Sequence, residues 1–178
     1  MEKFNPVSLP KHYQLSGGKE VLDYLADITN VMPTELSYFL GNTLKYIGRA
    51  PRKNNMVEDL SKAMYYLRDF QVRYHLVNED TFSGVKVDIK SYKKHLKNIG
   101  AQNIRNISEE LYNFAHDIAE TYPKDRQLAV AQLLHLVAEY VGGLQNFKPS
   151  EKDISWFLYS LRHKLAELIQ DVKRDQLT

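Results

Sequence analysis

Apolar residues recur every three or four positions along most of this chain, and strict alternation is confined to one short stretch, so helices are expected nearly throughout. Val21, Leu22, Leu25 and Ile28 share one face of a helix over about residues 18–30. Pro33 opens a second helix that turns Leu36, Phe39, Leu40, Leu44 and Ile47 inward, proline being tolerated where the first turn leaves its N–H groups unpaired. A third helix over about residues 56–76 buries Leu60, Ala63, Met64 and Leu67, after the polar connection "APRKNN". Val85, Val87 and Ile89 alternate as a strand would. Against that, Ile89, Tyr92, Leu96 and Ile99 keep helical spacing between Asp88 as N-cap and Gly100 as C-cap, and the helix is the reading taken.

Ser108 is expected to start the next helix, through Leu111, Phe114, Ala115 and Ile118. "DRQLAVAQLLHLVAEYVGG" is apolar on most sides, which predicts a central buried helix ended by Gly142 and Gly143. The last helix starts after Ser150, with Asp153 three residues on in a variant of the capping box. Its Ile154, Leu158, Leu161, Leu165, Leu168 and Val172 alternate spacings of four and three. This heptad pattern is short, so packing within the chain is preferred, with a contact between subunits left open. The expected fold is all-α: a bundle of about six to seven helices behind an extended N-terminal arm that ends near Tyr13. Residues 1–76 and 77–178 form two regions packed as one compact unit.

Composition narrows the picture by exclusion. Hydrophobic residues make up 43% and charged residues 26% of the 178 positions, as in ordinary globular proteins. The longest apolar run is broken by Gln132, His135 and Glu139, so no membrane span is expected. The N-terminus lacks the pattern of a signal peptide, which points to the cytoplasm. Without cysteine there is no disulfide framework, thiol nucleophile or thiolate-bound zinc. The net charge of +2 is too small to imply nucleic acid by itself, so the arrangement of charge has to carry any argument about partners.

That arrangement is unusual in "GNTLKYIGRAPRKN". On a helix, Tyr38, Asn42, Lys45, Tyr46 and Arg49 line the side opposite Leu40, Leu44 and Ile47, with Arg52 and Lys53 just beyond the end. A solvated face normally interleaves acids three or four residues from its bases, and this stripe has none. The third helix adds Asp59, Lys62 and Tyr66, which a short connection would bring alongside. Cations for phosphate, tyrosines for a base and an asparagine for a base edge are what a nucleotide site needs. Glu20, Asp23 and Asp27 offer oxygen ligands for magnesium, or simply neutralise the stripe beside them, which is the preferred reading. "LSGGKE" is not a phosphate-binding loop: Tyr13 stands where its first glycine belongs, and Glu20 where its hydroxyl belongs. The six histidines show no metal-ligand spacing, and no nucleophilic triad can be assembled. Lys90, Lys93, Lys94 and Lys97, with Arg105 beyond, form a basic strip better suited to solubility than to nucleic acid.

"PKHYQL", "GGKEVLDYL", "FLGNTLKYIGRAPRKN" and "EDLSKAMYYL", in that order over about residues 9–68, resemble the phage nucleotide-kinase-like family of gene 1.7 type, long listed as a domain of unknown function. The resemblance implies a phage-encoded cytoplasmic protein, in a family with a member that phosphorylates deoxynucleoside monophosphates, as an oligomer, without a Walker loop. The matching positions are His12, Tyr13, Glu20, Asn42, Lys45, Tyr46, Arg49, Lys53, Asp59 and Lys62. Pro51 departs from the family's usual glycine. On this reading Lys45, Arg49, Arg52 and Lys53 clamp phosphates, His12 or Asp59 orients the acceptor, and Tyr13, Asn42, Tyr46, Lys62 and Tyr66 complete the nucleotide site. Asp59 fits equally as a structural partner of Arg49 or Lys45. Two other functions compete: binding or sequestering a nucleotide without chemistry, and binding nucleic acid or a host protein through the lysine strip.

Overall fold

Several helices begin or end where nearby residues satisfy or fit their terminal backbone groups. The computed structural model describes residues 20–53, 55–73 and 87–176, and among these there are seven α-helices and no strand. α1 spans Val21–Val31, α2 Thr34–Arg49, α3 Met56–Arg73, α4 Ile89–Ile99, α5 Ala101–Glu120, α6 Lys124–Gly143 and α7 Glu151–Asp175. Pro33 and Pro123 stand at the N-caps of α2 and α6. Asp88 caps α4 by accepting the Ser91 N–H at 3.0 Å, and Gly100 leaves that helix at φ 87°, a left-handed conformation that glycine adopts without steric cost. Ser150 and Asp153 form the reciprocal capping box of α7.

Contacts between helices trace a closed circuit: α1 on α2, α2 on α3, α3 on α7, α7 on α6, α6 on α5, and α5 back on α1, with α4 attached to α5. One apolar core runs through this ring, from Val21, Leu40 and Leu60 to Phe114, Leu134 and Leu165. The heptad residues Ile154, Leu158, Leu161, Leu165, Leu168 and Val172 are all buried in it, so that stripe of α7 is used within the chain. Two tyrosines fasten the circuit by donating to the carbonyls that helix ends leave unpaired. Tyr92 Oη donates to Val31 O at 2.8 Å, and Tyr122 Oη to Ile47 O at 2.6 Å.

The structure corrects two of these expectations. Ser108 does not start a helix: α5 begins at Ala101, and Ser108 is buried within it, donating its hydroxyl to Ala138 O of α6 at 2.8 Å. Leu22 is not on the buried face of α1; it is 47% exposed, and Tyr24 takes the inward position, with its ring 4.8 Å from that of Phe114. α6 ends at Gly143, as the Gly142–Gly143 pair predicts. After a short 3₁₀ turn at Leu144–Asn146, the residue that turns left-handed is Phe147, at φ 53°. Gly142 also permits close packing, because a Cβ there would lie 2.9 Å from Ser108 Oγ.

Candidate functional site

α2 sits between α1 and α3 in the ring, so its stripe forms a ridge with one flank on each neighbour. On the α3 flank the expected residues do meet. The Tyr46 ring stacks on Tyr66 with centroids 5.6 Å apart and planes 19° apart, and Tyr38 meets Tyr66 edge-on at 6.0 Å. The Arg49 guanidinium lies 4.4 Å from the Tyr46 ring centre, and the Lys45 ammonium lies 5.2 Å from it. Arg49 also forks onto Asp59, with Nε to Oδ2 at 2.7 Å and Nη2 to Oδ1 at 2.9 Å. Such a bidentate pair is strong and directional, and it explains how Asp59 is tolerated at 3% exposure. Lys62 bonds to Glu58 and lies 3.8 Å from Asp59. Its pKa is raised, chiefly by that hydrogen bond to Glu58.

Direct contact therefore fills the space between α2 and α3. Arg49 and Asp59 neutralise each other, and both Asp59 oxygens already accept hydrogen bonds from Arg49. Burial pushes the Tyr66 phenol pKa up, with Tyr38 and Tyr46 adding to the shift. Lys45, Arg52 and Lys53, by contrast, have no carboxylate partner among the described residues. Arg52 Nη1 donates to Gly48 O at 3.4 Å, and its pKa is lowered by burial. Pro51 lies in the 3₁₀ turn Ala50–Arg52, which carries Arg52 and is followed by Lys53 in extended conformation.

The opening lies on the other flank. Between α1 and α2 runs an open groove of about 350 Å³, lined on the α1 side by Leu22, Leu25 and Ala26, and on the α2 side by Tyr38, Gly41, Asn42 and Lys45. Asn42 donates Nδ2 to Tyr38 O at 2.9 Å, a bond that does not engage its Oδ1 acceptor. Tyr38 is 62% exposed. A second cavity, of about 360 Å³, lies where α1 ends and α2 and α4 begin, but Glu35, Asp88 and His95 line it without any lysine or arginine. That lining is unsuited to a phosphate.

The remaining candidates fall elsewhere. His12 and Tyr13 lie outside the described residues. Glu20 and Asp23 form a reciprocal capping box at the start of α1, with Asp23 Oδ2 accepting the Glu20 N–H at 2.8 Å. Among the described residues no cluster of three or more metal-ligating side chains occurs. Lys90, Lys93, Lys94 and Lys97 are exposed along α4, and Arg105 donates to Gln145 Oε1 at 3.1 Å. Among the described residues no helix is long and apolar enough to cross a membrane. Two contributors went unrecognised from sequence: Leu22, assigned to the core, lines the groove, and Tyr65 abuts Tyr66 edge-on at 5.7 Å. The adjacency of Tyr65 and Tyr66 was the one available signal.

A family model described as a protein of unknown function, DUF3310, matches residues 7–68, which takes in α1, α2 and most of α3. No curated protein and no solved structure matches the chain. This corrects the resemblance drawn from sequence: the matching family has no assigned function, and nothing in the match links the chain to a phage nucleotide-kinase-like family.

Proposed function

We propose that the groove between α1 and α2 binds a nucleoside phosphate, as a binding site without phosphoryl transfer. The observation that carries this reading is the placement of Tyr38, Asn42 and Lys45 along one open, largely apolar groove. A base packs on the exposed Tyr38 ring and the Leu22 and Leu25 side chains, since every base has a flat apolar face. Asn42 accepts from a base edge, and Lys45, which has no carboxylate partner among the described residues, meets the phosphate as a point charge. From Tyr38 to Lys45 the helix rises about 10 Å, a span that suits one nucleotide.

Binding is favoured over transfer by the state of the other two candidates. Phosphoryl transfer depends on charge aimed at the moving group and on a side chain that orients the acceptor. Arg49 and Asp59 are directed at each other. Equilibrium dialysis against a panel of nucleosides and their mono- and triphosphates is the test, followed by chromatography of the recovered ligand. Saturable binding is expected, at least tenfold tighter with phosphate than without, and ligand is recovered unchanged. Lys45→Ala should abolish the phosphate preference. No saturable binding, or a Lys45→Ala protein that keeps the preference, contradicts the reading. Net diphosphate formation from monophosphate and triphosphate would show that transfer occurs.

A further inference from the structure

The ring leaves one side of α7 uncovered, and that side is neither charged throughout nor featureless. Lys152, Trp156, Tyr159, His163 and Glu167 are all exposed and follow spacings of four, three, four and four, which places them in one narrow outward stripe about 22 Å long. Trp156 is 67% exposed and Tyr159 is 63% exposed. The Tyr159 and His163 rings meet edge-on at 6.3 Å, and His163 Nδ1 lies 3.6 Å from Glu167 Oε1. Trp156 has no ring or hydrogen-bond partner among the described residues. Large aromatics in such a position are enriched at interfaces and depleted from free surface.

The order of charge along the stripe identifies what covers it. Over residues 152–167 the stripe starts at Lys152 and reaches Glu167, with the aromatic residues between them; the exposed Arg174, one heptad beyond, is paired with Asp171. A parallel copy would set lysine against lysine and glutamate against glutamate, which is repulsive. An antiparallel copy centred between Tyr159 and Ser160 sets Lys152 opposite the second copy's Glu167, Trp156 opposite its His163, and Tyr159 opposite its Ser160. Two-fold symmetry makes each of these pairings twice, as an isologous contact requires. The partly exposed Ser155 and Ser160 flank the aromatic rings, and their small size lets the helix axes approach to the 8–10 Å of ordinary packing.

From this complementarity we infer that α7 is the contact of an antiparallel homodimer, with Trp156 and Tyr159 at its centre and two Lys152–Glu167 pairs at its rim. A contact along one helix is at the small end of specific interfaces, below about 1,200 Å² in total, where weak and transient associations sit.

Sedimentation velocity over a concentration series tests this, read together with the emission of Trp156, the chain's single tryptophan. Dimerisation and a blue shift of that emission are expected to rise together. Lys152→Glu and Glu167→Lys should each weaken association about tenfold or more, because each turns both rim pairs into like charges. An equimolar mixture of the two single variants should recover wild-type affinity as a heterodimer, with helical content unchanged throughout. A chain that stays monomeric at every concentration, or a mixture no tighter than its components, overturns the inference. So does a blue shift that appears only with anionic phospholipid vesicles, which would assign the stripe to a membrane surface.

Discussion

Arg49 and Asp59 show how one pair of side chains decides between two roles. With 17% and 4% of their side-chain surface exposed and two hydrogen bonds between them, they hold the α2–α3 contact. Removing only the arginine strands a buried carboxylate, with Lys62 at 3.8 Å as partial compensation. Arg49→Met should therefore destabilise the fold by about 3 kcal/mol. Replacing both residues with apolar ones of similar volume should recover most of the loss, as measured by urea unfolding. If Arg49→Met leaves stability unchanged, the pair is not structural. Tyr122 offers a second case: its hydroxyl is buried against Ile47 O, and Tyr122→Phe should cost about 1–3 kcal/mol by leaving that carbonyl without a partner. Equilibrium unfolding of this variant measures the cost.

Helix ends fixed by nearby residues were legible in the sequence, whereas features that depend on neighbours distant in the chain were not. Asp88, Gly100 and the Ser150–Asp153 box act within a turn, so spacing alone reveals them. Ser108 has the same chemistry as a cap, yet its hydroxyl goes to Ala138 O across the α5–α6 contact, and no local pattern encodes that. Leu22 and Tyr24 differ by the position of Phe114, which accepts the aromatic ring. The α2 stripe was legible as a face without acids, and its pairing with Asp59, Lys62 and Tyr66 followed from a short connection. Which flank stays open was not, because it depends on how fully the tyrosines fill the α3 side. At the scale of elements, Gly142 predicts a further effect. Gly142→Ala sets a Cβ 2.9 Å from Ser108 Oγ, so the hydroxyl must leave Ala138 O or the helices must separate. A lower thermal midpoint is expected by circular dichroism, and pairing it with Ser108→Ala should restore much of the loss.

At the scale of the whole molecule, buried tyrosines set an upper pH limit on the ring. Burial raises the pKa values of Tyr92, Tyr122 and Tyr140 well above the ordinary 10.0. Because the folded values are the higher ones, the unfolded chain loses these protons first. Stability is therefore intact below about pH 10 and falls as the pH rises from there toward the folded values. Ultraviolet titration should show a late group of tyrosines ionising together with loss of helical signal. Ionisation of every tyrosine near pH 10 with the helices intact would contradict this. The same ring that buries these phenols presents the ridge of α2 and the outward stripe of α7 on separate helices, one proposed for a small ligand and the other for a second copy of the chain. The most direct test of the ligand proposal is a crystal structure of the protein with a bound nucleoside monophosphate. The base is expected against Tyr38 in the α1–α2 groove, with the phosphate at Lys45. Ligand held instead between Arg49 and Asp59, or along the α4 lysines, would contradict it.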